Sequence, residues 1–221
     1  MSYTVYGVNL SPFVRKLRAY CNAKGIEYTL TPVNIFPMPA WFEEISPLKR
    51  IPVLKDESGG QEHIINDTSI ICDYLEHKHP EKPLVPLDLI ARAKTLWLEE
   101  YADSELASRI GLGVFRPIVI NKMMGKAPDT DKAEDCIANQ LPQYFDYFEQ
   151  TLGGHDYFVE NTLTLADISI ATHFVNFKYA GYEVDAVKWP KLSAFIKRMH
   201  ASDCMAPLLE EEQQFFKQFS K

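Results

Sequence analysis

"YTVYGVNLSPFVRKLRAYCNAKGIEYTL", residues 3–30, decides the fold. Its opening residues, 3–7, read as a short strand. From Pro12 to about Lys24 the apolar residues Phe13, Leu17 and Tyr20 recur at helical spacing, with Val14 and Cys21 beside them. Ser11 stands just before Pro12. That is how a helix begins, with a side chain that caps and a ring that fills the first helical position. Gly25 stands where the helix would end. Beyond it "IEYTLTPV" (26–33) alternates Ile26, Tyr28 and Leu30 as a second strand. A strand, a helix and a strand in immediate succession call for a parallel pair with a crossover.

Working outward, "NIFPMPAWFEEISP" (34–47) is rich in proline and reads as a loop. "IPVLKD" (51–56) is a third strand, "ESGGQ" (57–61) a turn, and "HIIN" (63–66) the returning arm of a hairpin. "DTSIICDYLEHKH" (67–79) is a helix opened by Asp67 or Asn66. The order is β-α-β, then β-β-α. "HPEKPLVPLD" (79–88) holds three prolines and few core residues, as a linker does. After it only helical patterns are found, from about Leu87 to Met124, Asp129 to Leu152, Leu165 to Phe177 and Pro190 to Ala201. Pro117 and Pro142 are expected to kink or break the first two. "NTLTLADISIA" (161–171) contains a capping box, with Thr164 as cap, Asp167 reaching back, and Leu163 and Ile168 placed as a staple. The expected division is residues 1–80, a linker at 81–87, and an all-helical domain at 88–221.

The chain has 221 residues and a net charge of -7, which argues against a nucleic-acid surface, since phosphates are met by clustered Lys and Arg. The N-terminus lacks a signal peptide's charged start and apolar stretch. "IGLGVFRPIVI" (110–120), the nearest thing to a membrane span, is interrupted by Arg116 and Pro117. Cys21, Cys72, Cys136 and Cys204 are scattered without a CxxC, which reads as a reducing cytoplasm rather than a disulfide framework.

Several motifs fall away. "GLGVFR" (111–116) holds part of a dinucleotide fingerprint but follows no strand. No Ser has the surroundings of a hydrolase elbow. "HKH" (77–79) lies at a helix C-terminus, where cations suit the dipole, and no His spacing suggests a metal.

Three places in the first domain remain: Ser11, "RIPVL" (50–54) with a Pro opening a strand, and "NDTSI" (66–70) at a helix start. Each alone reads as a cap or a strand opening. Together, "SPFVRK" after the first strand, "SPLKRIPVL" before the hairpin, "DTSIICDYL" at the next helix and "LTLADI" in the helical region resemble the cytosolic glutathione transferases. The resemblance covers nearly the whole chain. "SPFVRK" is most similar to the serine-type classes, including plant tau-class and many bacterial members. It implies an α/β thioredoxin-like N-terminal domain followed by an all-α domain.

It also implies glutathione as co-substrate. Thr68, by hydroxyl and backbone N–H, suits the γ-glutamyl carboxylate, and Asp67 suits the amine. Ile51, before a proline that is cis in this family, offers backbone groups to the cysteinyl unit. Arg50 stands where the family has a Lys and suits the glycyl carboxylate, with Lys49 adjacent. Ser11 is the implied catalytic residue, donating to the glutathione sulfur while the helix N-terminus adds positive charge. Tyr6 is the other hydroxyl near the first strand's end, and it also reads as core. A Cys at position 11 would make mixed disulfides, so its absence argues against thioltransferase-type classes. "SPLKR" replaces the common Asn-Pro and Gly-Lys, Asp67-Thr68 replaces Glu-Ser, and "VENTLT" (159–164) replaces a Gly-Asp approach. These swaps bear on affinity.

The implied activity is conjugation of the thiolate to a hydrophobic electrophile. A glutathione-dependent peroxidase or isomerase, or a non-catalytic module of this fold, are the alternatives. The electrophile pocket is expected between the domains, with Phe36, Phe115 and Met123 as wall candidates. A cytoplasmic homodimer is expected, with no metal, membrane or nucleic-acid partner.

Overall fold

The computed structural model describes residues 2–219, with side chains through Gln214; residues 1 and 220–221, at the outer ends of the expected domains, lie outside it. One mixed sheet is built from β1 (Tyr3–Gly7), β2 (Thr29–Pro32), β3 (Val53–Asp56) and β4 (His63–Asn66) in the order β2-β1-β3-β4. β1 and β2 run parallel, as the strand-helix-strand reading requires, and β3 is antiparallel to β1 and β4. α1 (Pro12–Lys24) joins the parallel pair, and α3 (Thr68–Lys78) follows the hairpin. With the helical second unit, this is the thioredoxin-like plus all-α architecture.

The second strand is shorter than expected because the chain is still ending α1. Gly25 is left-handed at φ 75°, and Ile26 N–H donates back to Cys21 O at 2.9 Å. The proline-rich stretch contains a helix where a loop was expected, α2 (Ala40–Ile45). α2 brings Phe42 onto one face of the sheet, where it packs with Val33 and Val53 beside Tyr6, Ile51 and Ile64. The other face carries Val5 and Leu54 and is covered by the buried side of α1 and α3.

Gly7 ends β1 on that second face. A Cβ there would stand 2.4 Å from Val14 Cγ2, so only glycine lets the first turn of α1 lie this close to the strand. Gly7→Ala should therefore destabilise the fold by about 1–3 kcal/mol, as overpacking does. A urea melt should show a lower midpoint, and Val14→Ala in the same background should recover part of the loss.

At the far end of the sheet, Lys78 and His79 of "HKH" meet side chains of the strands. Asp56 takes hydrogen bonds from Lys78, Tyr74 and Ser58 N–H, and Tyr3 meets His79. Burial pushes the Asp56 carboxyl up, but the bonds from Lys78 and Tyr74 hold it well below the usual range.

The chain divides into two compact units. One holds the residues through Leu84 together with those from Ser202 onward, and the other is Val85–Ala201. The C-terminal segment had been expected in the helical domain. It groups instead with the sheet, because its helix (Ala206–Phe219) is ion-paired to α1, Arg15 to Glu212 and Arg18 to Glu211.

In the helical unit, α4 (Leu89–Tyr101) runs on as a wide π-helical stretch, Ala102–Ile120, and a last turn, Asn121–Met123. Pro117 lies inside this stretch, so of the kink or break expected there, no break is seen. The i→i+5 bonding, seen where Asn121 N–H reaches Arg116 O, shifts the carbonyl that a proline ring strikes in a tighter helix. α5 (Thr130–Asp135) ends in a second wide turn, Cys136–Gln140, and Pro142 does open a new helix, α6 (Pro142–Leu152). α7 (Leu165–Tyr179) is buried on all sides from Leu165 to Phe177, which makes it the axis of the unit. α8 (Pro190–His200) packs Phe195 on Phe158, while Phe145 contacts Phe174, Phe177 and Trp189. The Thr164–Asp167 capping box is present. "GLGVFR" lies in the π-helical stretch, with no strand before it.

Candidate functional site

The strand register places the three singled-out segments together. Tyr6 pairs with Val53, and Val53 with Asn66, so β1 ends, β3 begins and β4 ends side by side at one end of the sheet. Strands lie about 4.8 Å apart, so this edge spans about 10 Å from β1 to β4. Ser11 follows β1, Ile51 and Pro52 lead into β3, and Asp67 and Thr68 follow β4. α1 and α3 both begin here, so two positive helix ends meet at one edge. That arrangement suits a ligand with more than one negative group.

Ser11 is delivered by a tight turn in which its N–H donates to Val8 O at 3.1 Å. Its backbone is extended, and its carbonyl accepts from Arg15 N–H at 3.0 Å. The hydroxyl oxygen accepts from Val14 N–H at 3.4 Å, long for such a bond. Capping thus uses the oxygen weakly and the hydroxyl proton not at all. Cys21, further along α1, is no rival nucleophile, since burial pushes its thiol up to about 12. Tyr6 is packed edge-on against Trp41 and Phe42, as a core ring.

The Ile51–Pro52 peptide is cis. The chain before it is held by buried Ser46, whose hydroxyl donates to Arg50 O at 2.8 Å and accepts from Arg50 N–H at 3.1 Å. Arg50 is exposed, with no ion pair among the described residues, whereas Lys49 is paired with Glu43 at 2.9 Å. Asn66 donates to Ile45 O at 3.0 Å and so ties the end of β4 to α2.

Asp67 has φ 72° and ψ 133°, a conformation that non-glycine residues rarely adopt. Such strain, about 1–3 kcal/mol, persists where the surroundings over-determine it, often at a ligand site. Its carboxylate caps α3 by accepting from Ser69 N–H at 3.0 Å, which leaves further lone pairs for a cation. Thr68, the first residue of α3, is buried.

Of the candidate pocket walls, Phe36 and Met123 are exposed, while Phe115 is buried in the core of the helical unit. Among the described residues no group of His, Cys, Asp and Glu could hold a metal, and no helix is long and apolar enough to cross a membrane. Sequence reasoning missed Ser46, Asn9, Glu211 and Glu212, and read Asn66 only as a possible cap of α3. Glu211 and Glu212 sit on a helix that the apolar pattern did not reveal.

The geometry has close relatives. Residues 5–83 match the family "Glutathione S-transferase, N-terminal domain", and residues 115–212 match "Glutathione S-transferase, C-terminal domain". A glutathione S-transferase of Triticum aestivum is 27% identical over 93% of this chain and 90% of its own length. Glutathione S-transferase omega-1 of Mus musculus is 29% identical over 68% of this chain, which spans only 59% of that relative. The crystal structure of a glutathione S-transferase from Rhodospirillum rubrum F11 shares the fold, with a TM-score of 0.85 and 24% identity over 94% of this chain and 91% of its own. Matched along both of its domains, the chain belongs to the glutathione S-transferase family.

Proposed function

We propose that this chain is a serine-type glutathione transferase that conjugates the glutathione thiolate to a hydrophobic electrophile. The observation that carries this is the meeting of Ser11, the Ile51–Pro52 segment that leads into β3 and the start of α3 at one edge of the sheet. An extended tripeptide is about 10 Å long and fits that edge. Thr68 and the α3 N-terminus take the γ-glutamyl carboxylate, and Asp67 takes its amine. Ile51 pairs its backbone with the cysteinyl unit, as in strand addition. Arg50, rather than the already paired Lys49, takes the glycyl carboxylate.

This places the thiol toward β1 and Ser11. The Ser11 hydroxyl donates to the sulfur, and the α1 N-terminus adds its partial positive charge. Both favour thiolate over thiol, and thiolate is the nucleophile. Ser11 itself forms no bond to carbon. As the sulfur attacks, the S–C bond forms and the electrons pass to the leaving group or acceptor of the electrophile. A steady-state assay with glutathione and a small activated aryl halide tests the reaction. Saturable thioether formation supports it, and binding of glutathione without any conjugation points to a different chemistry on the same site.

The strained φ of Asp67 refines the choice of variant. Alanine there would lose the cap and keep the strain, whereas Asp67→Asn keeps an acceptor and tolerates positive φ. The amine lies away from the sulfur, so its contact is nearly equal in ground and transition states. Losing a bond to a charge costs about 1.5–3 kcal/mol. Asp67→Asn should weaken glutathione binding about tenfold or more in calorimetry, with turnover at saturating glutathione nearly unchanged. The reverse pattern would contradict the assigned role.

A homodimer is part of the proposal. Family members pair the first domain with the helical domain of a partner, and α4 leaves Leu89 and Ile90 about three-quarters exposed (77% and 78%), with Trp97 half-exposed. Sedimentation should give twice the chain mass at micromolar concentration, and a one-chain mass would reject the dimer. The four buried cysteines, none of them in a disulfide, suit a reducing compartment such as the cytoplasm.

A further inference from the structure

The C-terminal helix meets α1 through two consecutive carboxylates. Arg15 and Glu212 form a two-pronged pair, Nε to Oε1 and Nη2 to Oε2, both at 2.8 Å, with both side chains fully buried. Replacing such a pair by apolar residues is often neutral or stabilising, so stability alone does not explain it. One residue earlier, Glu211 closes a ring of hydrogen bonds. Arg18 Nη2 donates to Glu211 Oε2 at 2.6 Å, Arg18 Nη1 to Asn9 Oδ1 at 2.9 Å, and Asn9 Nδ2 to Glu211 Oε1 at 2.9 Å. Arg18 Nε is held in turn by the Tyr28 hydroxyl at 2.9 Å. Every polar atom of the Asn9 amide is thus used. Burial pushes the Glu211 carboxyl up, but the bonds from Arg18 and Asn9 bring it below its ordinary value.

Asn9 is not an ordinary surface residue. The Ser11 N–H to Val8 O bond closes a four-residue turn in which Asn9 and Leu10 are the central residues. Fixing the Asn9 side chain fixes the turn that delivers Ser11. We infer that Glu211 and Asn9 are positioning residues, with the C-terminal helix acting through the Asn9–Arg18–Glu211 ring to hold the Ser11 hydroxyl in place against the bound sulfur. This rests on the reading of Ser11 given above. A site group must be held to within about half an ångström, and a loop achieves that only with such outside support.

The test uses the full chain with Asn9→Ala, Glu211→Ala and the double variant. Glu211 is half-exposed but Arg18 is buried, so breaking the pair costs some stability, and each variant is titrated well below its own melting temperature. Ultraviolet titration of saturating bound glutathione reads the thiol pKa. Each single variant should raise it by about half a unit to one unit, and the double variant should raise it no further than either, since all three break one ring. Additive shifts, or no shift while Ser11→Gly does shift, would overturn the inference and leave the function standing. No thiolate in the wild-type protein would overturn both at once.

Discussion

Ser11→Gly should give a folded protein that still binds glutathione but no longer holds its sulfur as thiolate near neutral pH. Glycine is the informative substitution because it separates two jobs. At a cap position Ser→Ala costs about 1 kcal/mol, whereas Ser→Gly costs only a few tenths. The backbone at position 11 is ordinary extended chain, so glycine relieves no strain there. The cap bond is in any case long, at 3.4 Å. Almost the whole consequence of Ser11→Gly should therefore come from the missing donor. One lost hydrogen bond to a charge corresponds to a rise of about 1–2 units in the bound thiol pKa. Conjugation at pH 7 should fall about tenfold or more, and raising the pH should recover part of it. Melting and glutathione affinity should stay close to wild type. An unchanged thiol pKa and rate would reduce Ser11 to a cap and turn attention to Tyr6.

Asp167→Ala should be the most damaging substitution away from that edge. Asp167 is fully buried at the start of α7. Oδ1 accepts Phe158 N–H at 3.0 Å, and Oδ2 accepts both Thr164 N–H and the Thr164 hydroxyl at 2.8 Å. Alanine leaves two buried backbone N–H groups without partners, each at about 1–3 kcal/mol. The expected loss is about 3–5 kcal/mol, which at about 2–4 °C per kcal/mol is a fall of roughly 10 °C in melting temperature. Asp167→Asn should recover only part, because its NH2 must face one of the donors. The pH dependence has its own sign. Burial pushes Asp167 up to about 6, against the opposing hydrogen bonds, so between about pH 4 and 6 the folded chain keeps a proton that the unfolded chain releases. The contribution of this group is fully present below about pH 4 and declines as pH rises through about 6. That decline should vanish from the stability profile of Asp167→Ala. A melting temperature within a degree or two of wild type would mean that the box can be spared.

What could be read from the chain beforehand was local chemistry. Ser11-Pro12 and Gly25 bracket α1, the hairpin carries its turn, and Thr164 with Asp167 announces α7. Each is settled by residues a few positions apart. α2 was hidden because its six residues follow two closely spaced prolines, Pro37 and Pro39, a pattern that reads as loop. Pro117 left the choice between a kink and a break open, because its cost depends on helix width, which side-chain periodicity does not report. The C-terminal helix was missed along with the partners that give it meaning. Glu212 meets Arg15 across nearly the whole chain, and no local pattern carries that information. The edge bearing Ser11, Ile51, Asp67 and Thr68 was legible through resemblance, but its support from Ser46, Asn66, Asn9 and Glu211 was not. Those residues act through single side-chain to backbone or side-chain to side-chain bonds that only the folded chain forms.

Whether this edge activates glutathione is tested by one measurement on the unaltered protein, the ultraviolet titration of bound glutathione, with calorimetry establishing the occupancy. A free thiol of this type titrates near 8.5. The expected result is saturable binding with a thiolate signal that titrates at least about one unit lower, so that at least about half of the bound sulfur is ionised at pH 7.5. Saturable binding with the thiol still titrating near 8.5, or no binding at all, would contradict the role given to Ser11 and the start of α1.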